Sequence, residues 1–90
     1  MRAILCKPRR LDLEVLKPLA TIPGARLVGA STGDAVLEPI GQRVPAKLTK
    51  RLHRCGWVRG VALPLELLGD ERIGRITPRG IGELRETAAR

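Results

Sequence analysis

The stretch GQRVPAKLTKRLHRCG, Gly41 to Gly56, decides how the rest of the chain is read. At about 100° per residue, Val44, Leu48, Leu52 and Cys55 fall on one stripe. Arg43, Lys47, Lys50 and Arg54 fall on the opposite side, within an arc of about 60° on the same arithmetic. Arg51 flanks that arc. Pro45 suits a first helical turn, where its missing N–H has no partner to lose, and Gly56 is a natural stop. The stretch therefore predicts a helix over Gly41–Gly56 with one apolar and one basic face. No Asp or Glu occurs between Pro39 and Leu65, whereas Arg43, Lys47, Lys50, Arg51, Arg54 and Arg59 are all basic. A solvated helix face gains from mixed signs at i,i+4. A ridge of like charges repels itself, which points to an anionic partner. A purely solvated face is the plainer alternative.

The whole chain leans the same way. Its 90 residues carry a net charge of +8, which favours contact with a polyanion and says nothing of fold. That length predicts one domain, residues 1–90, with a small core. Apolar residues make up 43% of the chain, and Trp57 is its only aromatic side chain, so the core must be aliphatic. The absence of a long apolar run predicts no membrane span, and the basic residues after Cys6 end any leader-like segment, so a cytoplasmic protein is expected. In that compartment Cys6 and Cys55 read as small buried hydrophobes, a disulfide being possible without local support. With His53 they fall short of a metal-ligand set, so no metal and no cofactor are expected. A single histidine and the lack of a nucleophile–base pair at usable spacing argue against an enzyme.

Either side of the decisive stretch the signals are mixed. Met1–Arg10 reads as a strand or a basic arm, kept extended by Pro8. Leu11–Ile22 keeps helical spacing at Leu13, Leu16, Leu19 and Ala20, with Asp12 able to cap its start. Pro18 interrupts that spacing, Leu11–Val15 also alternates like a strand, and Pro23-Gly24 ends the segment. Arg26–Glu38 has two readings. One is a hairpin with Leu27-Val28 and Ala35-Val36-Leu37 as strands. The other is a short strand and then a helix, capped at Ser31 or Thr32 and running to about Ile40. After Gly56, Trp57–Leu63 reads as a strand, Gly69-Asp70-Glu71-Arg72 as a hairpin tip, and Ile73–Ile76 as the returning strand. Thr77 and Pro78 are N-cap and first residue of a closing helix reaching about Ala89, with Ile81, Leu84 and Ala88 as its apolar stripe.

The order helix, Arg-Cys-Gly-Trp-Val-Arg, strand, Gly-Asp-Glu-Arg turn, Arg-Ile-Thr-Pro-Arg-Gly, helix resembles the C-terminal half of a winged helix-turn-helix domain of the MarR-like type. The resemblance covers about Val44–Leu84. It implies an α+β fold of about three helices, a C-terminal β-hairpin wing and a short closing helix. It also implies duplex DNA as partner, a small transcriptional regulator as function, and a monomer or homodimer. The DNA-binding residues expected on this reading are Arg43, Lys47, Lys50, Arg51, Arg54, Arg72 and Arg75. An RNA-binding or ribosome-associated protein, or an adaptor on the same scaffold, are the alternatives.

Overall fold

In the computed structural model, which describes residues 6–29, 33–62 and 72–89, the basic helix is shorter than its sequence pattern predicts. It runs from Ala46 to Arg54 (α2), and the residues before it, Gln42–Val44, form a strand (β3). Val44 is buried in either conformation, so helical spacing alone could not place it. Its backbone is taken by a neighbour: Ala35 lies opposite Val44 and Val36 opposite Arg43, in the strand Ala35–Glu38 (β2). The hairpin reading of Arg26–Glu38 is therefore the observed one, with Arg26–Val28 as β1 antiparallel to β2. The alternative helix reaching about Ile40 does not form. Gly41 takes φ +81° in the β2–β3 turn, a conformation open to glycine.

The other elements follow the sequence more closely. Arg10–Thr21 is a helix (α1) that keeps Pro18 inside it. The N-cap is Arg9 rather than Asp12, which sits in the first turn and whose Oδ2 accepts the Arg9 backbone N–H at 2.7 Å, occupying one of the donors that a helix start leaves free. Val58–Ala62 (β4) and Arg72–Ile76 (β5) pair antiparallel from Val58↔Ile76 to Ala62↔Arg72. Of the predicted tip Gly69–Arg72, Gly69–Glu71 lie outside the described residues, as do Met1–Leu5 of the expected arm, whereas Arg72 is the first residue of β5, where it pairs with Ala62. Pro78–Ala88 is the closing helix (α3), and its N-cap Thr77 accepts the Gly80 N–H at 3.1 Å as expected. Among the described residues the fold thus has three helices and five antiparallel strands in the order β3-β2-β1-β5-β4.

The helices pack on one face of this sheet. Val15, Leu16 and Leu19 of α1 and Leu52 of α2 join Leu27, Ala35, Leu37, Val44 and Val58 of the strands in one core. Trp57 is fully buried among them and fills the joint between α2 and β4. Its indole N–H has no hydrogen-bond partner among the described residues. None of the described helices is long and apolar enough to cross a membrane.

Thr77 closes the structure around this tryptophan. Its hydroxyl donates to the Gly56 carbonyl at 2.6 Å, and its N–H donates to the Trp57 carbonyl at 2.9 Å. Those bonds bring α3 so close to the Trp57 backbone that a Cβ on Gly80 would lie 2.5 Å from the Trp57 carbonyl oxygen and 2.8 Å from Ile76 Cγ1. Gly80→Ala should therefore destabilise the protein by about 1–3 kcal/mol through overpacking, although alanine is the better helix former by about 1 kcal/mol. Urea unfolding followed by Trp57 emission reads the sign directly, and a stabilised variant would contradict this packing.

Candidate nucleic-acid interface

The outward side of α2 carries Lys47, Lys50 and Arg54, all exposed. Lys50 stands three residues from Lys47 and four from Arg54, so the three side chains are surface neighbours along about two turns. Among the described residues none of them forms an ion pair. The inward side is Thr49 and Leu52, each fully buried, with Leu48 half-buried beside them. Thr49 is a core residue that apolar periodicity overlooks. Its hydroxyl is satisfied within the helix, donating to the Pro45 carbonyl at 3.1 Å.

The start of α2 has no local cap, because Pro45 occupies the N-cap position and the first turn holds no acid. Asp34 supplies the cap from β2's side of the hairpin: its Oδ1 accepts the Ala46 N–H at 2.7 Å. The same carboxylate is paired with Arg43, whose Nε lies 3.0 Å from Oδ2. The Arg43 side-chain hydrogen bond, then the Ala46 N–H, hold the Asp34 carboxyl below the ordinary carboxylate pKa. This contribution to stability is present above the ordinary carboxylate range and is lost as pH falls through the lowered value.

The seven residues expected at the interface are therefore not equivalent. Lys47, Lys50 and Arg54 form the ridge. Arg43 lies on β3 rather than on the helix, and its charge is met by Asp34. Arg51 turns toward the core: its Nε is 3.0 Å from Asp12 Oδ2, its Nη2 donates to the Lys7 carbonyl at 2.7 Å, and its guanidinium carbon sits 5.6 Å from the Trp57 ring centroid. Asp12 is only 1% exposed, so this pair is structural. Arg75 is exposed on β5, directly opposite Arg59, on the sheet face that points away from the helices. Arg72 begins β5, opposite Ala62.

The two cysteines depart from expectation. Cys6 and Cys55 are joined in a disulfide across 49 positions, and no free cysteine remains. Cys55 caps the end of α2, so the bond ties the chain segment before α1 to the end of the basic helix. Among the described residues, no cluster of three or more His, Cys, Asp or Glu side chains could hold a metal ion. No protein-family model, no curated protein and no solved structure matches the chain.

Proposed function

We propose that the chain binds duplex DNA sequence-specifically and acts as a small transcriptional regulator, with α2 as the recognition helix in the major groove. The observation that carries this reading is the ridge Lys47, Lys50 and Arg54: three exposed cations on one helix face, without ion-pair partners, held on a rigid core. The order of elements supports the docking mode. The antiparallel strands β4 and β5 follow the helix, β5 pairs with β1, and a closing helix follows, as in a winged helix. In this chain the β2–β3 hairpin stands where a helix-turn-helix would have its second helix.

Lys47, nearest the start of α2, reaches base edges, where a lysine meets the guanine acceptors O6 and N7. Lys50 and Arg54 contact phosphates, which fix register without reading sequence. Arg72, at the far end of β5, contacts the neighbouring backbone. Arg43 and Arg51 are engaged by carboxylates and hold the site in shape.

Each phosphate neutralised adds about 0.9 to the slope of log affinity against log salt. Lys50→Glu with Arg54→Glu should therefore flatten the slope by about 2 and weaken binding across all duplex sequences. Lys47→Ala should relax selection at one base position, a discrimination of about 1–3 kcal/mol. Fluorescence anisotropy on duplexes selected from a random pool measures all three. Salt-independent binding, or full affinity in the charge-reversed variant, would overturn the proposal. Stronger binding to duplex RNA or single strands in competition would move the protein to the RNA-binding alternative.

A further inference from the structure

The helix-free face of the sheet carries a second unneutralised charge pattern, independent of α2. Side chains alternate along each strand, so the residues next to buried Leu27, Leu37, Val58 and Gly74 point outward. The register then arranges them in rows across the strands. Arg59 and Arg75 are direct cross-strand partners, both exposed and without an ion-pair partner among the described residues. Leu27 lies opposite Gly74, so the same register continued by one residue brings Arg26 of β1 beside Arg75. Arg26 is neutralised by Glu38 at 2.9 Å, whereas the Arg59–Arg75 pair is not. Like charges directly opposite on a sheet destabilise it.

The next row on this face is apolar from β2 to β5 and ends on β3 at Arg43, opposite Val36, whose charge is met by Asp34. Val36 of β2 faces Val28 of β1, and Val28 faces Ile73 of β5. Val36 is 41% exposed, and Val28 and Ile73 are half-buried. Among the described residues no helix covers them. The two rows lie two residues apart along the strands, or about 7 Å. A ligand spanning both must offer anionic groups beside aliphatic ones at that spacing.

We infer that this face docks an acidic amphipathic segment of a partner protein, lying across the strands with carboxylates on Arg59 and Arg75 and an apolar stripe on Val36, Val28 and Ile73. A nucleic acid fits the arginines but not the rest of the face. A duplex backbone presents phosphates and no apolar stripe for Val36, Val28 and Ile73, and the bases of a single strand stack on aromatic side chains, of which the chain's one, Trp57, is fully buried. The inference does not rest on the DNA-binding proposal, because none of these residues belongs to the α2 ridge.

The test is a methyl NMR titration of the full chain carrying Lys50→Glu and Arg54→Glu, which removes the competing ridge. The probe is a synthetic helical peptide with a leucine stripe flanked by glutamates. Shifts at the Val28, Val36 and Ile73 methyls are expected. They should vanish when the peptide's glutamates become lysines or its leucines become serines. Adding Arg59→Glu and Arg75→Glu should weaken binding about tenfold or more. If that variant loses native methyl dispersion, Arg59→Gln with Arg75→Gln takes its place. Equal shifts from the serine peptide, unchanged affinity after loss of the arginines, or larger shifts from a single-stranded oligonucleotide would each overturn the inference.

Discussion

Arg51→Ala is expected to lower the unfolding free energy by about 3–5 kcal/mol, the usual consequence of leaving one partner of a buried ion pair alone. Asp12 is 1% exposed, and its charge is met by the Arg51 guanidinium and the Arg9 N–H. Without Arg51 the carboxylate loses its counter-charge and two of its hydrogen bonds. The Lys7 carbonyl loses its donor and Trp57 its cation at the same time. A domain of this size has on the order of 5–15 kcal/mol of stability in total, so the variant should unfold at much lower urea. A double-mutant cycle with Asp12→Asn identifies the mechanism. If the ion pair is the cause, the second substitution should cost far less in the Arg51→Ala background than alone. Additive losses would show that the pair contributes nothing of its own.

Removing the Cys6–Cys55 bond is the second large effect. A cross-link over 49 positions restricts the unfolded chain by an amount that the loop-entropy relation places at about 4 kcal/mol. Cys6→Ser with Cys55→Ser should therefore lower stability by up to that amount, and a dithiol reductant should do the same to the native protein. Urea midpoints of oxidised and reduced protein, read from Trp57 emission, check it. The Arg51–Lys7 hydrogen bond holds the same segment, so the Arg51 and cysteine variants should not be additive. Coinciding midpoints with and without reductant would mean that the bond constrains nothing in the unfolded chain.

These two interactions were also the least legible in the sequence, for one physical reason. Asp12 and Arg51 are 39 positions apart, and nothing local in either segment announces the other. The same holds for Cys6 and Cys55, and for Asp34 capping a helix that begins at Ala46. Local chemistry was readable wherever a residue's own neighbours settle its conformation. Thr77-Pro78 marked the start of the closing helix, Gly56 the end of the basic one, and Trp57–Leu63 with Ile73–Ile76 the strands between, observed as Val58–Ala62 and Arg72–Ile76. The start of the basic helix was misplaced because Val44 is inward-facing in a helix and in a strand alike. The contact that decides between them, Val44 against Ala35, comes from the next strand. Of the expected interface, the ridge Lys47, Lys50 and Arg54 was legible from spacing. Arg43 and Arg51 have the same spacing but are met by acids from elsewhere in the chain.

The brevity of α2 has a consequence for how this surface could be transplanted. At nine residues the helix is below the length of about 12–15 residues at which isolated helices become even marginal in water. Its cap comes from a preceding hairpin, its end is bonded to a distant segment, and its inner face rests on the tryptophan. Excised as a peptide, the same residues would be an unordered polycation, attracted to any anion and selective for none. The spacing of its charges belongs to the whole chain, and only grafting the surrounding frame would carry it elsewhere.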